Sequence, residues 1–204
     1  LESVLIIASG ARPKGLNIPG EDKLRGKGVS YCATCDGALF RDKEVAVVGG
    51  GDTALEEALF LTKFAKKVTV IHRRNALRGT KILQERAFAN KKIEFIWDSV
   101  VSEIKGANKV TGLKVKNVKT SAEKDLSCDG AFIFVGYTPN TAFLKDVVLM
   151  DEDGYIIADD NCLTSKPGIF ACGDCRKKLL RQVVTAAGDG ATAAFACQHF
   201  LATP

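Results

Sequence analysis

Two cysteines three residues apart, Cys32 and Cys35, with a carboxylate directly after the second, Asp36, are the first residues along the chain whose types and spacing can do chemistry. A Cys-x-x-Cys turn brings two thiols within disulfide reach, and the first thiol of such a pair often ionises readily near a helix N-terminus. Asp36 is placed to pass a proton to or from a thiolate as the bridge opens. Zinc also uses this spacing, but it needs four ligands. The second Cys-x-x-Cys, Cys172 to Cys175, lies 137 residues past Cys35, and the chain has two histidines, His72 and His199. A redox dithiol is therefore preferred over a zinc site and over inert buried thiols.

The second constellation is Gly49-x-Gly51-x-x-Ala54, with Asp52 and Thr53 inside it. It follows an apolar run and opens a helical pattern, the context in which such a turn lets backbone N–H groups approach a pyrophosphate. The next strand should end about 20 residues on, where an acid would grip the ribose 2'-hydroxyl of NAD. Instead the chain reads His72-Arg73-Arg74, with Arg78 one turn later and no carboxylate among them. Guanidinium forks bind a 2'-phosphate bidentately, whereas a carboxylate repels it. The expected ligand is NADPH. A hydride-carrying nucleotide and a dithiol do not exchange electrons directly at useful rates, and a flavin normally sits between them.

The elements that must carry these residues follow from periodicity. Residues 44–48 and 68–71 are strand-like runs, and 54–65 carries Leu55, Ala58, Leu59 and Thr62 at helical spacing. Strand, glycine turn, helix and strand make a βαβ unit. A further helix is expected over 81–90, with strands over 93–97, 100–104, 110–118 and 131–135, which gives an α/β fold with a small, antiparallel addition. Residues 183–201 are small and apolar around Gly188 and Gly190, a helix expected to have a close neighbour. Natural divisions fall near residue 14 and near 136–139.

Composition excludes several classes. With 204 residues, 46% hydrophobic and 26% charged, the chain can bury a core and is not disordered. No apolar stretch approaches the ~18 residues that cross a bilayer. The net charge of +5 is local: residues 63–92 hold ten Lys or Arg against one acid, Glu85. With aromatics at 7%, that pattern suits a phosphate-bearing cofactor better than nucleic acid. Seven cysteines, an odd number, fit a reducing cytoplasm better than a secreted disulfide scaffold. No signal peptide is read at the start, and further sequence is expected before Leu1.

Cys-Ala-Thr-Cys-Asp-Gly at 32–37, Val-Val-Gly-Gly-Gly-Asp-Thr-Ala at 47–54, Ile-His-Arg-Arg at 71–74 and Ala-Cys-Gly-Asp at 171–174 occur in one order and spacing. In these motifs the chain resembles the low-molecular-weight, bacterial-type thioredoxin reductases, of which it looks like the later two-thirds. The resemblance implies a Rossmann-like NADPH and dithiol domain over 14–136, inserted in a similar but truncated FAD domain formed by 1–13 and 137–204. It implies flavin contacts at Ser9 (where the family has Thr), Gly10, Gly173, Asp174, Arg181, Gln182 and Val183 (where the family has Ala). It assigns Cys35 as the sulfur nearer the flavin, Cys32 as the sulfur that attacks thioredoxin, and Asp36 as the acid/base. Cys172 and Cys175 are read as incidental.

The activity so implied is NADPH-dependent reduction of thioredoxin, or of a similar small disulfide protein, by a cytoplasmic homodimer carrying FAD and NADPH. The inserted domain is expected to rotate about linkers near 12–15 and 136–140. The family's first glycine fingerprint, which holds the ADP half of FAD, is expected to precede Leu1, so the fragment alone is expected to be inactive. The rivals are a reductase of the same architecture fed by ferredoxin or serving another disulfide protein, and a non-catalytic NADPH-binding fragment.

Overall fold

A computed structural model describes residues 3–202. In chain order the elements are β1 (Leu5–Ile7), β2 (Ala11–Pro13), β3 (Val29–Ser30), α1 (Ala33–Asp36), β4 (Glu44–Val48), α2 (Asp52–Leu61), β5 (Lys67–Ile71) and α3 (Lys81–Ala89). There follow β6 (Ile93–Ile96), β7 (Ser99–Lys105), β8 (Gly112–Asn117), β9 (Glu123–Ser127), β10 (Gly130–Ile133), β11 (Tyr137–Pro139), β12 (Ile169–Ala171) and α4 (Val183–Ala202). The chain divides into two compact units: Pro13–Gly136 is one, and the segments up to Arg12 and from Tyr137 onward form the other.

The continuous unit is built on a five-stranded parallel sheet in the order β3-β10-β4-β5-β6. Val45, Val47, Val68, Val70 and Phe132 point to one face, where α2 lays Ala54, Leu55, Ala58 and Leu61 against them. Ala46, Val48, Ile71, Ala131 and Ile133 point to the other, covered by Val101, Ile104, Leu113 and Val115. Two covered faces explain why these strands read as apolar runs rather than alternations. Each fully buried Val or Leu contributes about 1.5–3 kcal/mol. The second cover is the antiparallel sheet β7-β8-β9, the small addition that the sequence points to.

The discontinuous unit is thinner. β1 pairs in parallel with β12, Leu5 opposite Ile169 and Ile7 opposite Ala171. One small core gathers Ile7, Leu144, Val148, Ile156, Ala171 and Cys175. A second gathers Cys162, Phe170, Cys172, Ala193 and Cys197. Among the described residues nothing lies within 4 Å of a Cβ placed on Gly188 or Gly190, the glycines where α4 is expected to have a close neighbour. The helix buries Ala193 and Cys197 instead. Among the described residues no helix is long and apolar enough to cross a membrane.

Candidate functional site

In the continuous unit Cys32 and Cys35 are joined by a disulfide, with their Cα atoms 5.3 Å apart. Cys32 is the N-cap of the single-turn α1, and its Sγ accepts from the Cys35 N–H at 3.1 Å. Cys32 is half-buried and Cys35 exposed. Asp36 ends the same turn. Its Oδ2 accepts from the Ser30 hydroxyl at 2.6 Å, and that oxygen accepts from the Cys32 N–H at 3.1 Å. Glu57, in the middle of α2, accepts from the Ala33 N–H through Oε2 at 3.0 Å. Burial pushes the Glu57 carboxyl up, and its bonds to the N–H groups of Ala33 and Thr34 offset part of that rise.

Ser30 and Glu57 escape a reading of the sequence because their partners meet them only in the fold. Neither has a local motif. Through Glu57 the redox turn is tied to the helix that the glycine turn opens, about 8 Å along the axis from Asp52 at 1.5 Å per residue.

The glycine turn leaves β4 at Gly49. Its φ of +155° suits glycine, and a Cβ there would overlap the Ala54 side chain and the Phe134 carbonyl. A Cβ on Gly50 would strike the His72 ring, whereas Gly51 is open but for an Nη2 of Arg78 at 4.0 Å. Gly51 is the N-cap of α2 and supplies no side-chain cap, so the first N–H groups of a ten-residue helix are left for a ligand. Ala54 is buried under the turn and Thr53 is exposed. Asp52 turns aside, its Oδ1 accepting from the Thr80 N–H at 2.6 Å.

His72 differs from the arginines that follow it. It is 5% exposed, with Nδ1 3.1 Å from the Gly49 carbonyl. Burial pushes its imidazole down, helped by the nearby Arg78 and Arg74. His72 therefore props the glycine turn. Arg73, Arg74 and Arg78 are exposed, and none of the three is in an ion pair among the described residues. The Arg78 N–H donates to the Gly50 carbonyl at 2.7 Å, which folds the loop after β5 back onto the turn.

The residues expected to contact flavin all lie in the discontinuous unit. Gly10 has φ +68° and Gly173 φ +75°. The Gly173 N–H donates to Asp189 Oδ2 at 3.0 Å, and Lys178 Nζ reaches the same oxygen at 2.8 Å. The Arg181 guanidinium lies 4.0 Å from the centroid of the Tyr155 ring. The Gln182 N–H donates to Thr185 Oγ1 at 3.2 Å, and Val183 begins α4 with its side chain in the open.

A buried polar atom without a partner costs roughly 1–3 kcal/mol unless something satisfies it. Among the described residues five side-chain atoms are in that position: Ser9 Oγ, His72 Nε2, Asp174 Oδ1, Arg176 Nε and Arg181 Nε. Three of them, on Ser9, Asp174 and Arg181, belong to the residues expected at the flavin, and these residues fit a polar ligand. The site residues thus form two groups. One unit holds the dithiol, its acid, the glycine turn and the arginines; the other holds Ser9, Gly10, Gly173, Asp174 and the start of α4. Among the described residues no three His, Cys, Asp or Glu side chains are grouped to hold a metal ion.

The family described as pyridine nucleotide-disulphide oxidoreductase matches residues 3–190. Over 203 residues the chain is 51% identical to a thioredoxin reductase of Peptoclostridium litorale, covering 97% of this chain and 64% of that protein. The crystal structure of thioredoxin reductase from Streptococcus pyogenes MGAS5005 is similar with a TM-score of 0.92 and 55% identity, over 98% of this chain and 66% of that one. A ferredoxin-flavin thioredoxin reductase from Clostridium acetobutylicum aligns with a TM-score of 0.52 and 29% identity, over 98% of this chain and 64% of that one. The chain therefore spans about two thirds of these proteins' length.

Proposed function

The chain belongs to the pyridine nucleotide-disulphide oxidoreductase family, and on that premise we propose that the protein is an NADPH-dependent flavoprotein that reduces thioredoxin through Cys32 and Cys35. One observation carries the reading: the Cys32–Cys35 bridge is tied by Glu57 to α2, and α2 starts in a glycine turn followed by three exposed arginines. The continuous unit is the NADPH and dithiol domain. The discontinuous unit carries residues of the FAD domain.

Arg73, Arg74 and Arg78 hold the 2'-phosphate, each charged hydrogen bond contributing roughly 1.5–3 kcal/mol. The open Gly51 and the first N–H groups of α2 take the pyrophosphate, while His72 keeps the turn in shape. Ser9 Oγ, Asp174 Oδ1 and Arg181 Nε, buried without partners, would hold polar groups of the flavin cofactor. Bound FAD supplies the two-electron relay between a hydride donor and a disulfide.

Once both sulfurs are thiols, Asp36 accepts the proton that leaves Cys32. Cys32 Sγ attacks the partner's disulfide and displaces one partner sulfur, which takes up a proton. Cys35 Sγ then attacks Cys32 Sγ of the mixed disulfide, re-forming the 32–35 bridge; the proton that Cys35 gives up goes to the departing partner sulfur, and the partner leaves as a dithiol. Cys35 is the more exposed of the two, so the choice of Cys32 as attacker rests on the family resemblance and not on exposure. The chain passes between units only after Arg12 and after Gly136, and Gly136 has φ +113°. We place the hinge at these two crossings, and the protein in the cytoplasm as a homodimer.

The test is NADPH oxidation by the intact flavoprotein with oxidised thioredoxin. Cys32→Ser and Cys35→Ser should each abolish turnover while leaving flavin reduction by NADPH intact. A Cys32→Ser enzyme with normal turnover, or flavin reduced by ferredoxin and not by NADPH, overturns the reading.

A further inference from the structure

Ser30 sits at the end of β3, an edge strand of the parallel sheet, with Phe132 of β10 as its register partner. It is 5% exposed. Its oxygen accepts from the Cys32 N–H at 3.1 Å, and its hydroxyl is 2.6 Å from Asp36 Oδ2 and 3.2 Å from the Cys32 carbonyl oxygen. A hydroxyl has one proton to give. The shorter contact to a charged acceptor takes it. The oxygen is thus clamped between the backbone that enters the redox turn and the acid that leaves it.

The turn between them is weakly held by itself. α1 has four residues, too few to be stable by its own hydrogen bonds, and the 32–35 bridge that closes it is the bond that the reaction breaks. When the bridge opens, the covalent tie between the two ends of the turn is lost. The Ser30 bonds are not consumed, and they come from a strand rather than a loop.

We propose that Ser30 is the positioning residue of the thiol chemistry: its hydroxyl holds the Asp36 carboxylate at one distance from Cys32 in both the bridged and the open dithiol. This rests on the reading of Cys32, Cys35 and Asp36 as the reacting groups.

The experiment compares wild type, Ser30→Ala, Asp36→Asn and the double variant as intact flavoprotein, in two reactions. In the first, dithiothreitol opens the bridge: its two thiols become a cyclic disulfide and the protein disulfide becomes two thiols. In the second, NADPH reduces oxidised thioredoxin. Ser30→Ala should slow both by on the order of tenfold, seen in kcat rather than in KM for NADPH. In the Asp36→Asn background, Ser30→Ala should cost less than about twofold more, because the group it positions is already gone.

Equal losses from Ser30→Ala in both backgrounds, or a loss seen in KM for NADPH rather than in kcat, overturn the proposal and leave Ser30 a packing residue. Ser30→Thr keeps the hydroxyl and should restore the wild-type kcat. A wild-type protein that does not reduce thioredoxin would refute the activity reading, while the dithiothreitol reaction would still decide the role of Ser30.

Discussion

At the scale of single residues, three neighbouring positions that read alike in the sequence have different tasks. His72, Arg73 and Arg74 form one basic run, yet His72 is buried against the Gly49 carbonyl while the arginines are exposed. Two exposed guanidiniums that form no ion pair among the described residues cost little in stability when removed, so their loss should be felt in ligand binding alone. Replacing Arg73 and Arg74 together by Ala should weaken NADPH binding by on the order of tenfold or more, leave NADH binding within about twofold, and keep the unfolding midpoint. Calorimetric titration with both nucleotides checks this, and equal losses for the two would remove the 2'-phosphate assignment. The run's position was legible because a glycine turn fixes where the next strand must end. The separate role of His72 was not, because burial depends on how far β5 extends before the chain turns back through Arg78. Ser30 and Glu57 were invisible for a related reason: their partners lie 6 and 24 residues away, and no spacing rule links them before the sheet and α2 exist.

At the scale of elements, legibility follows burial. β4, β5 and β10 are covered on both faces, so their residues had to be apolar and their runs stood out. β9, Glu123–Ser127, is an edge strand with mostly exposed side chains. It is held by pairing with β8 from Gly112 opposite Ser127 to Lys116 opposite Glu123, and it carries no pattern of its own. The docking of α1 on α2 is likewise a tertiary property, and Glu57 makes it testable through pH. A carboxyl pushed up in the folded state binds its proton more tightly there than in the unfolded chain. The stability it lends is full below the ordinary carboxylate range and is lost as pH rises from there through the raised value of the folded state. Glu57→Gln keeps an acceptor for the Ala33 N–H without the charge. At pH 7 it should therefore unfold in urea at the same midpoint as wild type or slightly later, with the difference vanishing below the carboxylate range. Glu57→Ala leaves that N–H unsatisfied and should cost about 1–3 kcal/mol, with the larger loss at low pH, where the wild-type carboxyl contributes most. The chain has one tryptophan, Trp97, placed in this unit, so its fluorescence reads the transition directly. A glutamine variant less stable than wild type at pH 7 would mean that the ionised form is worth more than its burial costs.

At the scale of the whole molecule, the two units differ in how much apolar surface they cover. The continuous unit packs both faces of its sheet with two large clusters. The other rests on two small ones, and its β1–β12 sheet has two strands, fewer than an independently stable sheet needs. It also leaves Leu5 and Ile6 of β1 exposed, with Val183 at 86% and Phe195 at 65% on α4. Apolar groups on a strand and a helix of one unit are where further layers of an α/β domain pack, and the chain spans 64% of the Peptoclostridium relative. The same unit holds Ser9, Asp174 and Arg181, whose buried polar atoms await partners. A polypeptide of residues 1–204 should therefore bind NADPH through its well-packed unit but retain FAD at well below one per chain. In hydrogen exchange, amides of α4 should exchange orders of magnitude faster than those of β4, β5 and β10, because opening free energy tracks local burial. Absorbance at the flavin band and exchange measured on the same sample decide it. Stoichiometric yellow cofactor, or α4 protected as well as β4, would show that these 204 residues complete the flavin-binding unit by themselves.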